Sequence, residues 1–333
     1  MLLAAALLVL AQAPAADPGR LVVLNKSAAS ATVIDLASGE PLAEIGTGAG
    51  PHEVALHPGG RWAVVADYGA AEAGSTLSVL DLEELRRARV IELGEPVRPH
   101  GLAFEPDGRA LWLTAETRQQ LWRVDFATGE VLARATTGQR VSHMVARAPD
   151  GRLFVTNIGS GSVSPVEADG TVQDAVPTGA GAEGVAVTPD GRQLWVSNRE
   201  ADSLSVFDPH TMKLLRSVEC PGFPIRVAVT PDSALALVSC ARAGEVAIYS
   251  TRDFQRLGAV SIGLEADDEG AGLFGDRFGA SPIPIGITVA ADNLRAWVAN
   301  AGADLVAEID LRERRVVRFL PTGREPDGIA WVR

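Results

Sequence analysis

Residues 183–208 read EGVAVTPDGRQLWVSNREADSLSVFD. The apolar stretch 185–187 runs into Pro189-Asp190-Gly191, where proline presets φ and glycine tolerates positive φ, so the chain must reverse. A second apolar stretch, 194–198, ends in a polar turn, and a third, 204–208, ends in aspartate. This alternation predicts short antiparallel strands that follow one another along the chain.

The same pattern recurs along the whole chain, at a spacing of roughly forty residues. Each copy adds a fourth strand, such as 131–135 after the turn at 127–130. Four short strands per copy are typical of a β-propeller blade. The copies contain the turn residues Pro58, Pro106, Pro149, Pro189, Pro231 and Asp292, and a partial copy lies at 326–330.

The two ends of the chain supply complementary parts of one blade. The stretch 21–25 resembles a second strand, whereas 326–333 resembles the first strand that it lacks. We therefore predict an all-β fold, a seven-bladed β-propeller of four-stranded antiparallel blades in which the C-terminal strand joins the N-terminal blade. Such closure leaves no exposed sheet edge. The prediction is one domain over 17–333, with an insertion loop at about 263–281.

Residues 1–16, MLLAAALLVLAQAPAA, are apolar and end in small residues. The run is too short to span a bilayer and is typical of a signal peptide, so we expect a periplasmic or secreted protein. A formal net charge of −12 disfavours a nucleic-acid partner, because phosphates repel an acidic surface. We expect a monomer with no membrane span in the mature chain.

The repeat motifs resemble those of a known family. Pro-Asp-Gly-Arg is followed by Leu-Phe-Val-Thr-Asn at 153–157 and by Leu-Trp-Val-Ser-Asn at 194–198. From about residue 21 to its end, the chain is similar to the YVTN family of β-propellers. That family resembles the lactonase-type propellers, the haem domain of propeller nitrite reductases and the propeller subunits of quinone amine dehydrogenases. The motif is structural, so the resemblance implies the fold more than the activity.

The starts of the first strands form a ring of positions at one mouth of the central channel of a propeller. Three imidazoles in consecutive blades, with carboxylates beside them, are a ligand set that suits a divalent transition metal. Each histidine could instead bind only a carbonyl of the neighbouring blade. The ring is His52, His100, His143, Glu183, Ile225, Ile285 and Asp327. The candidate metal ligands are His52, His100, His143 and Glu183.

The ends of the second strands open on the same face and form a second ring. Its asparagines are either ligand contacts or local caps of their strands. The second ring is Asn25, Asp67, Ala115, Asn157, Asn198, Cys240 and Asn300. The candidate ligand-binding residues at the mouth are His52, His100, His143, Glu183, Asp327, Asn157, Asn198, Asn300 and Arg98. Cys220 also falls near this face, so a disulfide with Cys240 and two free thiols both stay open.

The chemistry of the mouth leaves three functions open. We expect a propeller that binds a small ligand, a metal ion or a partner protein there. The alternatives are a metal-assisted hydrolase or lyase of the lactonase-like kind, and a non-catalytic subunit of a periplasmic redox complex. No Gly-x-Ser-x-Gly elbow with a following helix, covalent haem motif or phosphate loop is present, so the motifs do not decide whether the protein is an enzyme.

Overall fold

A computed structural model describes residues 19–264 and 275–333. Within them the chain forms seven four-stranded antiparallel sheets, numbered here as blades 1 to 7 in chain order. Blade 1 contains β1 (Arg20–Asn25), β2 (Ser30–Asp35), β3 (Pro41–Gly46) and the last strand, β28 (Pro326–Val332). Blade 2 contains β4 (Pro51–Leu56), β5 (Trp62–Gly69), β6 (Ala73–Asp81) and β7 (Arg86–Glu92).

The other blades repeat the same meander. Blade 3 contains β8 (Pro99–Phe104), β9 (Ala110–Ala115), β10 (Gln120–Asp125) and β11 (Val131–Thr136). Blade 4 contains β12 (Ser142–Arg147), β13 (Leu153–Asn157), β14 (Ser162–Val166) and β15 (Val176–Pro177). Blade 5 contains β16 (Ala182–Val187), β17 (Leu194–Asn198), β18 (Ser203–Phe207) and β19 (Leu214–Glu219).

Blade 6 contains β20 (Pro224–Val229), β21 (Leu235–Cys240), β22 (Glu245–Ser250) and β23 (Arg256–Ser261). Blade 7 contains β24 (Pro284–Val289), β25 (Arg295–Asn300), β26 (Leu305–Asp310) and β27 (Arg315–Pro321). Two 3-10 turns, Glu116–Arg118 and Gly275–Phe278, complete the described secondary structure.

The prediction of how the ring closes is confirmed. Strand β28 pairs with β1 in an antiparallel register, with Val22 opposite Ala330 and Asn25 opposite Pro326. The N-terminal blade therefore takes its innermost strand from the other end of the chain. The predicted signal peptide, 1–16, lies outside the described residues, as does 265–274 of the predicted insertion loop.

Each innermost strand carries an irregularity at its start. The pairing of first and second strands shifts register in all seven blades, for example between Pro51 and Val54 and between Ser142 and Val145. A bulge of this kind re-aims the side chains next to it. In blade 2 the shift falls at His52 and Glu53, both of which take part in contacts within the channel.

Packing between blades forms the core. Apolar side chains on the faces of neighbouring sheets interlock, as where Trp195 of blade 5 meets Val238 and Tyr249 of blade 6. Near the axis the backbones approach closely, so a Cβ added to Gly286 would lie 2.0 Å from the Asp327 carbonyl oxygen. In the described residues no helix is long and apolar enough to cross a membrane.

Candidate functional site

A pocket of about 300 Å³ opens at the channel mouth where the first strands begin. Charged and aromatic side chains line it together with four branched aliphatic side chains. The lining residues are Lys26, His52, Tyr68, Glu116, Val141, His143, Ile158, Glu183, Arg199, Ile225, Arg226 and Ile285. The volume is at the lower end of the range for small-molecule sites.

Three imidazoles from consecutive blades stack beside this pocket. The ring centroid of His100 lies 4.2 Å from that of His52 and 3.5 Å from that of His143, while the outer two are 6.2 Å apart. His100 is fully buried, and neither of its nitrogens has a hydrogen-bond partner among the described residues. Burial holds the pKa of His100 well below its usual range, and its neighbour His143 lowers it further.

His143 differs from the other two because carboxylates face both of its nitrogens. Its Nδ1 lies 2.8 Å from Glu116 Oε2, and its Nε2 lies 3.6 Å from Glu183 Oε1. Burial lowers the pKa of His143, but these two carboxylates outweigh that effect and raise it overall. Glu116 also accepts a hydrogen bond from the Tyr68 hydroxyl at 2.8 Å, which fixes its orientation.

A buried arginine bridges the channel. Arg226 of blade 6 donates from Nη2 to Glu53 of blade 2 at 2.6 Å and from Nη1 to Glu183 of blade 5 at 2.9 Å. Arg199 pairs with the second oxygen of Glu183. Burial would raise the pKa of Glu183, but the His143 hydrogen bond and the two arginines hold it at about 2. The network therefore keeps Glu183 ionised although it is buried.

The closing blade adds a second acid and a lysine. Asp327 Oδ2 lies 3.1 Å from His52 Nδ1 and 3.7 Å from Lys26 Nζ, yet neither carboxylate oxygen has a hydrogen-bond partner among the described residues. Burial raises the pKa of Asp327 to about 7, against the opposing charges of Lys26 and Arg226. Burial also holds the pKa of His52 well below its usual range, and Lys26 adds to the effect.

The structure gathers the polar members of the first predicted ring. His52, His143 and Glu183 line the pocket, His100 lies between the two histidines, and Asp327 contacts His52. Arg98, the predicted arginine of the mouth, is half-buried and lies over the Tyr68 ring at 4.8 Å from its centroid.

The predicted asparagines lie elsewhere. Asn157, Asn198 and Asn300 are fully buried and do not belong to the described lining of the pocket. Asn157 and Asn198 donate to serine hydroxyls of their own blades, and Asn300 donates to the carbonyl of Val298. These contacts match the capping alternative.

Five of the residues that line the mouth stand one position after members of the second ring. Because side chains alternate along a strand, the last strand residue turns sideways into the blade and the next one faces the channel. A one-residue offset from the second ring would have found them in the sequence. They are Lys26, Tyr68, Glu116, Ile158 and Arg199. Glu53 and Arg226 stand one position after members of the first ring, but the sequence gives no signal of their contact, because it joins blades 2 and 6.

The family model described as lactonase, 7-bladed beta-propeller matches residues 23–260. The chain belongs to that family. A virginiamycin B lyase of Nocardia farcinica (strain IFM 10152) is 32% identical over 132 residues, which cover 37% of this chain and 38% of that protein. This lactonase-family chain thus matches well under two thirds of that relative's length.

Two solved structures share the propeller fold. A protein of unknown function from Desulfotomaculum acetoxidans DSM 771 has a TM-score of 0.75 at 15% identity, covering 95% of this chain and 99% of its own. The virginiamycin B lyase from Staphylococcus aureus has a TM-score of 0.68 at 14% identity, covering 84% and 88%. At these identities the likeness shows the fold alone.

In this lactonase-family propeller, the positions of the donor atoms favour a set of metal ligands different from the predicted set. His52, Glu53 and His100 each present one ligand atom, and the three atoms lie within 4.8 Å of one another. His143 is instead engaged with two carboxylates and Glu183 with two arginines, while Glu53 binds a single arginine, Arg226, through Oε1. Two imidazoles and a carboxylate, with the His100 nitrogens unpartnered, fit a divalent transition metal.

The two cysteines are free thiols in this structure. Cys220 and Cys240 are both fully buried between blades 5 and 6, with 3.6 Å between their sulfurs. The sequence left open either a Cys220–Cys240 disulfide or two free thiols, and the structure has the free thiols. The thiols belong to the apolar core and not to the described pocket lining.

Proposed function

We propose that the channel-mouth pocket binds a small molecule that carries a carbonyl or carboxylate oxygen beside an apolar body. The observation that carries the proposal is that cationic donors and branched aliphatic side chains line the same pocket. The donors are Lys26 and Arg199, and the apolar side chains include Val141, Ile225 and Ile285. The two acids of the lining, Glu116 and Glu183, are already bonded to neighbouring side chains. The cations would bind the ligand oxygen, and the aliphatic side chains would pack against its apolar body.

The cations of the wall keep free hydrogen-bonding capacity. Arg199 Nε has no partner among the described residues. The described contacts of Lys26 Nζ are Asp327 at 3.7 Å, which is beyond hydrogen-bond length, and the Tyr68 ring at 5.7 Å from its centroid. A buried donor without an acceptor is costly, so a ligand oxygen would relieve that cost.

The network around Arg226 supports this proposal by holding the site rigid. Arg226 is 5% exposed and is bonded on both sides, to Glu53 and Glu183. Its bonds join blade 2 to blades 5 and 6 before any ligand arrives. Preorganisation of this kind reduces the entropy that a ligand must overcome on binding.

Ester or lactone opening by a hydrolase or lyase is a second candidate, which the His52–Glu53–His100 cluster favours. A metal held there would polarise a carbonyl or lower the pKa of a bound water. Lys26 and Arg199 would bind the carbonyl oxygen as negative charge develops on it. The family and the lyase relative are consistent with this candidate, but the evidence for it is the His52–Glu53–His100 cluster.

Calorimetric titration with γ- and δ-lactones and their hydroxy acids tests the binding proposal. Lys26→Met should weaken binding by about tenfold, the loss of one hydrogen bond to a charged donor. The chain has one other lysine, Lys213, which is exposed in blade 5 and serves as a matched control. Lys213→Met should bind as the wild type does. Equal affinities of Lys26→Met and wild type, or no binding of any probe, would overturn the proposal.

The catalytic candidate has its own test. The wild type loaded with zinc or manganese should retain metal through gel filtration, and His100→Ala and Glu53→Gln should each lose it. His57→Ala is the control, since His57 lies at a turn of blade 2 and packs against Phe104 and Phe126 of blade 3. If the wild type retains no metal, or the same lactones are not opened by the loaded protein, the catalytic candidate fails while binding stands.

The compartment in which the site works is also a proposal. The apolar N-terminus predicts export, and we propose that the pocket meets its ligand outside the cytoplasm. Fractionation of expressing cells and N-terminal sequencing of the product would test this. Export predicts a mature chain that starts near Ala13 to Ala16, and an intact Met1 in the cytoplasmic fraction would contradict it.

A further inference from the structure

A second cavity, of about 520 Å³, lies at the seam where the ring closes. It is bordered by the turn 291–294 between the first two strands of blade 7, and by Leu36 and Trp331 of blade 1. That turn is at the opposite ends of the strands from the channel mouth, so the cavity opens on the other face. It shares no lining residue with the channel-mouth pocket.

An unpartnered indole N–H marks this cavity. Trp297, in the second strand of blade 7, is 3% exposed and lines the cavity, and its Nε1 has no hydrogen-bond partner among the described residues. The equivalent tryptophans are satisfied: Trp112 Nε1 donates to Glu105 at 3.2 Å, and Trp195 Nε1 donates to Gln193 at 2.9 Å.

The missing acceptors can be traced position by position. The residue that corresponds to Glu105 in blade 7 is Ala290, and the one that corresponds to Gln193 is Arg295. Neither side chain can accept a hydrogen bond. Both residues line the cavity, so the acceptors are absent where the cavity is open. A ligand that supplies an acceptor oxygen there would satisfy the Trp297 N–H.

The polar wall of the cavity is rigid and nearly neutral. Glu308 accepts from Arg295 Nε at 3.1 Å and from Arg318 Nε at 2.7 Å, and Arg295 also donates to Asp310 at 2.6 Å. Arg318 is further held by the Leu36 carbonyl at 2.6 Å. These charges are already paired, and the remaining charged residues of the lining, Asp292 and Arg333, are of opposite sign. The wall therefore offers fixed donors and acceptors without a strong net field.

We propose that this cavity is a second ligand site, which binds an uncharged saccharide. Sugar hydroxyls both donate and accept, which suits paired arginines and carboxylates better than a lone charge does. The C–H face of a sugar ring packs on an indole, and half-buried Trp331 lines the cavity. A sugar oxygen accepts the Trp297 N–H, and the volume admits a di- or trisaccharide.

Titration of the full chain with maltotriose, cellotriose and chitobiose, followed by tryptophan fluorescence and calorimetry, tests the proposal. Trp297→Phe keeps a ring but removes the donor, so binding should weaken by about 2- to 10-fold. Trp331→Ala should abolish detectable binding. Trp195→Phe makes the same chemical change in blade 5, away from the cavity, and should bind as the wild type does.

Melting temperature separates binding from folding. Both variants lose packed ring volume, but only Trp195→Phe also loses a hydrogen bond, so it should melt lower than Trp297→Phe. No wild-type binding of any probe with a Kd below about 1 mM would overturn the proposal. So would equal affinities of Trp297→Phe and wild type. Because this site is separate from the channel mouth, Lys26→Met should not affect it.

Discussion

Arg226 and Glu53 form a buried ion pair across the central channel, with 2.6 Å between Nη2 and Oε1, although 173 positions separate them in the chain. The pair joins blades 6 and 2, which are not neighbours in the ring. It therefore stabilises the relative positions of blades that share no sheet contact.

Arg226→Met should lower the free energy of unfolding by about 3 kcal/mol or more, because it leaves Glu53 and Glu183 without their shared cation. Denaturant unfolding measures the change. Arg242→Met is the control, since Arg242 pairs with Asp202 at the surface and both side chains are more than a third exposed. That variant should change the free energy of unfolding by less than about 1 kcal/mol. Similar losses in both variants would contradict the role of the bridge.

Acid should destabilise the protein through Glu183. Its pKa is about 2 in the folded chain against an ordinary 4.5, so its contribution to stability is full above about pH 4.5 and is lost as the pH falls towards 2. Glu183→Gln should be less stable than the wild type near neutral pH. Between about pH 4.5 and pH 2, however, it should lose less stability than the wild type does. Glu200→Gln, at an exposed neighbouring turn, should keep the wild-type acid profile. Parallel acid profiles of Glu183→Gln and wild type would refute the prediction.

The two core thiols should form a disulfide under oxidising conditions. Refolding with glutathione disulfide should transfer two electrons and two protons from Cys220 and Cys240 to glutathione, leaving a Cys220–Cys240 bond. Closing a loop of that size stabilises a protein by about 3 kcal/mol, so the oxidised form should melt higher. Mass spectrometry and thiol titration measure the reaction. Cys240→Ala should show neither change, and two thiols that persist in the refolded wild type would contradict the prediction.

Gly286→Ala should destabilise the ring strongly, because the added Cβ would lie 2.0 Å from the backbone oxygen of Asp327 in the neighbouring blade. Gly46→Ala is the matched control, since nothing lies within 4 Å of a Cβ at that position. It should leave stability unchanged or raise it by up to about 1 kcal/mol. Thermal melting compares the two. If Gly286→Ala had the same melting temperature as Gly46→Ala, the first strands could separate at low cost, which would contradict the prediction.

Local patterning accounts for the part of the fold that the sequence determined. The Pro-Asp-Gly turns and the apolar stretches, such as 194–198, act over a few residues, and so the strands and their number can be read directly. Closure through 326–333 also followed, because an unpaired strand at either end needs a partner. The histidine positions followed from the repeat, which places equivalent residues at equivalent heights.

Only the tertiary structure decided what those histidines contact. The bulge at the start of the first strand of blade 2 places Glu53 in the channel, where Arg226 of blade 6 contacts it. A contact between two distant blades leaves no periodic trace in the chain. The alternation at the strand ends likewise put Lys26 and Arg199, rather than the asparagines before them, at the pocket. Side-chain direction at an irregular strand end depends on the neighbouring blades, and a single repeat does not contain that information.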